Sequence, residues 1–106
     1  PDVEERIELY KHAIRIDPNL AVVHYNLGLA YYASGMLRET VAANKQAIRL
    51  DPDFALAYAN LGVAYVAIKD RDSAYEQYKI LKRLDSELAK ELFDKIDPLE
   101  ILRYKR

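Results

Sequence analysis

The chain repeats itself. Laid against itself at the offset that carries Ala21 onto Ala55, residues 21–51 meet residues 55–85 without a gap. Identities fall at Ala21/Ala55, Asn26/Asn60, Leu27/Leu61, Gly28/Gly62, Ala30/Ala64, Tyr31/Tyr65, Ala33/Ala67, Lys45/Lys79, Arg49/Arg83, Leu50/Leu84 and Asp51/Asp85. The same offset carries Ala13-Ile14-Arg15-Ile16-Asp17-Pro18 onto Ala47-Ile48-Arg49-Leu50-Asp51-Pro52, so a third copy opens the chain with its second half only. A period of this length is the mark of stacked units, each burying its apolar face on the next.

Each unit holds two helical stretches. Residues 21–34 and 55–68 are rich in Ala, Leu and Tyr and contain no proline, which suits helix in length and propensity. The second stretches space apolar or small residues by three and four: Val3, Ile7, Tyr10 and Ile14; then Leu37, Val41, Asn44 and Ile48; then Ala74, Tyr78 and Leu81. Asp17-Pro18 and Asp51-Pro52 close two of them, because proline drives the preceding residue out of the α region, and Asp85-Ser86 can cap a following helix. With three Gly and four Pro in 106 residues, the chain lacks the turn chemistry an all-β fold needs. The expected fold is all-α, a row of antiparallel helix pairs.

The expected organisation is one domain over residues 1–96: a partial repeat at 1–20, repeats at 21–54 and 55–88, and a closing helix over 86–96. Residues 97–106 form a tail, in which Leu99 to Tyr104 could make another short helix. A chain that opens at Pro1 without Met reads as an excised or processed piece.

Tyr25-Asn26-Leu27-Gly28-x-Ala30-Tyr31-Tyr32, Gly35, Ala47 and Asp51-Pro52, followed by Asn60-Leu61-Gly62-x-Ala64-Tyr65, Ala74 and Tyr78, resemble tetratricopeptide repeats. The resemblance implies a right-handed α-solenoid of antiparallel helix pairs. It also implies that Gly28 and Gly62 let the two helices of a pair approach closely, with Leu27, Tyr31, Leu61 and Tyr65 filling the seam and Thr40, Ala47 and Ala74 as small partners. Four positions depart from the pattern: Arg6 replaces an alanine, Leu81 another, and Lys69 and Ile96 stand where glycine is common. Such irregularity fits a natural sequence and makes the last helix a cap.

By the same resemblance, the chain is a non-catalytic scaffold whose first helices line a concave groove that takes partner peptides. Residues 21–34 and 55–68 contain no Asp, Glu, Lys or Arg, and helices apolar on every side are expected to be covered on every side. The groove face expected from helical geometry and the family pattern carries Val22, Tyr25, Asn26, Leu29, Tyr32 and Ala33, then Leu56, Ala59, Asn60, Val63, Val66 and Ala67. Such a strip suits an apolar or helical peptide segment. Asn26 and Asn60 share one repeat position and resemble the asparagine ladder of superhelical members of the family, since an amide can pair with a peptide backbone without reading its sequence. The carboxylate clamp of some members is mostly missing: Leu29 and Val63 replace polar residues, Tyr25 and Ala59 replace basic ones, and Lys90 is accompanied by Asp94 in place of an arginine.

Other chemistries find little support. The chain has no cysteine, and His12 and His24 have no neighbouring histidine at metal-ligand spacing, so neither a metal nor a cofactor is expected. Glu4, Glu5 and Glu8, like Asp70 and Asp72, lie near helix starts, where the helix dipole accounts for them. The three glycines do not cluster into a phosphate loop, and no small-molecule substrate is expected. A net charge of -1 and a groove without cations argue against nucleic acid, and neither uncharged helix has the roughly 20 residues that cross a bilayer. Arg103-Tyr104-Lys105-Arg106 reads as a solvated terminus, and composition leaves the compartment open, with the cytoplasm as the default.

The partner is therefore expected to be a protein or peptide, and the competing candidate is a second copy of the chain. Self-assembly could use the groove, a front helix presenting Val3, Ile7 and Tyr10, or the tail through Leu99, Ile101, Leu102 and Tyr104. An enzyme is expected only as a catalytic domain fused elsewhere in a longer parent.

Overall fold

The computed structural model describes residues 2–99, which form six helices in a single row. These are α1 Val3–Ile16, α2 Ala21–Ala33, α3 Leu37–Leu50, α4 Ala55–Ala67, α5 Arg71–Leu84 and α6 Ser86–Ile96. The uncharged helices α2 and α4 each end one residue sooner than the composition alone suggests. No described residue lies in a strand, and the fold is an all-α helical solenoid. It measures 52 × 26 × 21 Å, elongated along the row.

Helices α2 and α3 pair, as do α4 and α5, and each pair stacks on the next through α3 on α4 and α5 on α6. The first helices α2, α4 and α6 also approach one another in sequence, whereas the backbones of α1, α3 and α5 stay apart among the described residues. One face of the row is thus built from first helices and the other from second helices.

Two core clusters hold the row together. Ile7, Leu27, Ala30, Tyr31 and Ala43 join α1, α2 and α3. Tyr58, Leu61, Tyr65, Ala74, Leu81, Ala89, Leu92 and Ile96 join α4, α5 and α6. The small residues Thr40, Ala47 and Ala74 are fully buried, and so is Leu81.

The front of α1 differs from the sequence expectation. Ile7 is only 7% exposed, and Val3 and Tyr10 pack beside it against α2 and α3. The bare apolar residues of α1 are instead Leu9 and Ile16. The three-and-four spacing that identified the helix marks the side turned toward the stack, so it could not also mark the exposed one.

The two helical glycines serve different contacts. A Cβ on Gly28 would stand 2.5 Å from Nδ2 of Asn44, so this glycine lets α3 approach within its own pair. A Cβ on Gly62 would stand 2.5 Å from Cδ2 of Leu92, so this one admits α6 and not its pair partner α5. Leu81 fills the α4 and α5 seam where the preceding repeat has Ala47, and the closest approach moves to the next helix. Asn44 donates from Nδ2 to the Thr40 carbonyl at 2.9 Å, while its Oδ1 is buried without a partner.

Helix ends follow the sequence signals. Asp2, Asp70 and Asp85 accept backbone N–H groups of Glu5, Ser73 and Leu88 at the starts of α1, α5 and α6. Helices α2 and α4 have no side-chain cap. Instead, Asp17 and Asp51 fold the entering loops by accepting the N–H groups of Asn19 and Asp53. At the far ends, the Met36 N–H bonds to the Tyr31 carbonyl and the Asp70 N–H to that of Tyr65, both at 2.9 Å, closing two Schellman turns. Such a turn needs a left-handed residue, supplied once by Gly35 at φ 75 and once by Lys69 at φ 66.

Lysine is poorly suited to that conformation. Lys69→Gly is expected to stabilise the protein by about 1 kcal/mol, seen as a rise of roughly 4–8 °C in Tm by calorimetry. Gly62→Ala should do the opposite. Displacing the buried Leu92 costs about 1–3 kcal/mol against a helix-propensity gain of about 1, so urea unfolding should show a net loss on the order of 1 kcal/mol.

Candidate functional site

The candidate groove is the face built by α2 and α4. Its orientation begins in the loops that enter these helices. Nε2 of His24 lies 2.9 Å from the Pro18 carbonyl, so this nitrogen carries the proton. The Tyr58 hydroxyl donates to the Pro52 carbonyl at 2.7 Å. The two residues occupy the same repeat position and tie each first helix to the proline turn before it. His24 is thereby a structural residue.

From α2 the groove face receives Val22, Leu29 and Tyr32, at 53%, 42% and 38% exposed, and from α4 it receives Leu56 at 48%. Tyr25 is half-buried, its ring centroid 5.0 Å from that of Phe54 in a tilted contact, and burial raises its pKa. Ala33 and Ala67 are exposed at the helix ends. Further along α4, Ala59, Val63 and Val66 are drawn partly into the core around α5 and α6. The twelve candidate residues thus lie on two neighbouring helices, with the four large exposed apolar ones concentrated on α2 and at the start of α4.

The two asparagines are unequal. Asn26 is half-buried on α2. Asn60 is buried, 9% exposed, and its Nδ2 has no hydrogen-bond partner. An orphaned buried amide costs about 1–3 kcal/mol. The sequence treats the pair as repeats of one another, whereas the structure buries only the second.

A second concavity carries a chemistry that the repeat pattern did not single out. A crevice of about 230 Å³ between α5 and α6 is lined by Tyr78, Lys82, Ser86, Ala89, Lys90 and Phe93. Tyr78 stands 5.1 Å from Phe93 and 5.4 Å from Tyr75, centroid to centroid. The ammonium groups of Lys79 and Lys82 lie over the Tyr75 and Tyr78 rings at 5.7 and 5.6 Å. The i, i+4 spacing of Tyr75/Lys79 and Tyr78/Lys82 was the signal available in the sequence. Lys90, the one clamp-like lysine, belongs to this crevice.

Among the described residues no group of three or more His, Cys, Asp or Glu is placed to hold a metal ion. No helix there is long and apolar enough to cross a membrane. Asp70 spends its carboxylate on capping: the Ser73 hydroxyl and N–H hold its pKa below the usual carboxylate value.

Two family profiles match the sequence. A TPR repeat profile covers residues 2–35, and a tetratricopeptide repeat profile covers residues 21–54. The chain belongs to the tetratricopeptide repeat family. Solved members of the family superpose on most of it. The TPR2B domain of yeast Sti1, solved as a complex with pHsp70, is 25% identical and covers 88% of this chain and 81% of its own, at a TM-score of 0.81. The first TPR domain of Spaghetti (RPAP3), bound to the HSP90 peptide SRMEEVD, is 23% identical over 92% of this chain and 80% of its own, at a TM-score of 0.83. The Sgt2 TPR domain from Aspergillus fumigatus is 24% identical over 94% of this chain and 69% of its own, at a TM-score of 0.77. No curated protein matches the sequence.

Tyr58 supplies a test of how these repeats are oriented. Burial, and then the charge of Asp53, raise its pKa above the usual value of 10.0. A raised pKa favours the neutral folded form, so this contribution is complete below pH 10 and fades as pH climbs through the folded value. Tyr58→Phe is expected to lower stability by about 0.5–1.5 kcal/mol at neutral pH. Denaturant midpoints of the variant should also fall less steeply than those of the wild type in alkali.

Proposed function

We propose that this tetratricopeptide repeat chain is a non-catalytic protein–protein interaction scaffold that accepts an apolar or helical peptide segment in its concave groove. The repeat domain spans residues 1–96, as a partial repeat, two full repeats and a capping helix. The observation that carries the reading is the exposure of Val22, Leu29, Tyr32 and Leu56 on two helices without a single charge. Apolar surface of this kind gains about 25 cal/mol per Å² removed from water, before the cost of ordering the peptide. The peptide complexes of yeast Sti1 and Spaghetti support a peptide as the class of partner. The acidic SRMEEVD peptide is not transferred to this chain, because Tyr25 and Ala59 stand where a carboxylate clamp uses basic residues, Leu29 and Val63 where it uses polar ones, and Asp94 where it uses an arginine.

Within that groove, Asn26 pairs with the peptide backbone, Asn60 adds a second amide where the peptide passes α4, and Tyr25, Val63 and Val66 form the partly buried floor. An array of synthetic apolar and amphipathic peptides, read by fluorescence anisotropy, tests the reading. Binding of the selected peptides should fall at least about tenfold, or 1.4 kcal/mol, in the double variant Leu29→Asp, Leu56→Asp with unchanged helicity by circular dichroism. Replacing Asn26 and Asn60 together by Ala should weaken the same peptides without reordering their preference. Equal binding by the Asp variant would remove the groove from consideration. Self-assembly through residues 97–106 was a competing expectation, and Ile101, Leu102 and Tyr104 lie outside the described residues.

A further inference from the structure

Three junctions join a second helix to the first helix that follows it, and the middle one is built differently. Tyr10, Asn44 and Tyr78 occupy one repeat position, on α1, α3 and α5. Tyr10 packs beside Ile7 on the core of α1, α2 and α3, and the Tyr78 ring stands 5.1 Å from that of Phe93 on α6. A tyrosine thus ties each outer junction. At the middle one Asn44 has no ring to send across. Its Nδ2 donates to the Thr40 carbonyl of its own helix, and its Oδ1 is buried without a protein partner.

The helical glycines divide the row at the same place. Over Gly62 of α4 the nearest side chain is Leu92 of α6, so the second pair is locked to the helix after it. Over Gly28 of α2 the nearest is Asn44 of the same pair, and α2 and α4 share less backbone contact than α4 and α6. The buried members of one core all lie on α1, α2 and α3, and those of the other all lie on α4, α5 and α6. Across the boundary Val41 and Ile48 of α3 reach the second core, and Tyr25 meets Phe54. All four of these side chains are only half-buried.

We propose that the junction of α3 with α4 is a hinge, about which α1 to α3 and α4 to α6 turn as two blocks. Rotation there leaves both cores intact, and it opens the Asn44 oxygen to solvent, relieving a cost that only the closed form carries. The groove straddles the hinge. Val22, Leu29 and Tyr32 stand on one block and Leu56 on the other, so rotation changes the separation of its apolar walls. The hinge belongs to the free chain and does not rest on what the groove binds.

The chain contains no cysteine, so introduced pairs carry nitroxide labels only where they are placed. Double electron–electron resonance on the full chain compares three pairs, all at exposed positions. His12→Cys with Glu91→Cys spans the junction, while His12→Cys with Lys45→Cys and Asp72→Cys with Glu91→Cys each stay within one block. The spanning pair should give a wider distribution of distances than either control. Asn44→Leu, or Asn44→Met where the branched chain does not fit beside Gly28, should remove most of that excess width. Both controls and the helicity by circular dichroism should stay unchanged. A spanning distribution no wider than the controls overturns the proposal, and so does an excess width that both Asn44 variants leave in place.

Discussion

The close approach of helices at Gly28 and Gly62 is the contact on which the rest of the solenoid depends. At Gly28 the absence of a side chain lets Asn44 of α3 lie against the α2 backbone, and at Gly62 it lets Leu92 of α6 lie against α4. With the backbones this near, small residues must face one another, and Thr40, Ala47 and Ala74 are buried completely. Distances between helices then fix which side chains remain on the surface. The groove follows from the seam.

The two repeats use one plan with different fillings. In the first, a polar residue, Asn44, occupies the seam and leaves a buried oxygen without a partner. In the second, Leu81 fills the equivalent of Ala47, and the tightest contact shifts outward to α6. The second core is accordingly larger, with eight buried residues against five in the first. This asymmetry explains why Val63 and Val66 sink partly into the core when Leu29 and Tyr32 stay open, although the pattern sets them in matching positions. The candidate groove is thus more open along α2 than along α4.

Much of the architecture was legible because the sequence states it twice. The offset of Ala21 onto Ala55 located the pairs, Asp-Pro marked the loops, and Asp85 signalled the cap of α6. The groove was legible only as a pair of helices. A segment with no charges, such as Ala21 to Ala33, offers no polar face from which to infer its apolar one, so sequence could not separate Val22 and Leu29 from residues that a neighbour covers. The same holds at α1, where Val3, Ile7 and Tyr10 read as a bare stripe although they are the packed one.

The sequence by itself determined the helix pairs, their order and their family, because periodicity, proline turns and glycine positions are local or repeat at a fixed offset. Only the tertiary structure decided which neighbour each glycine admits, that Asn60 is buried where Asn26 is half open, and which faces of α1 and α2 meet solvent. Those outcomes depend on distances between segments far apart in the chain. Side chains such as Leu81 and Leu92 set these distances by volume, and volume acts only once the helices are stacked.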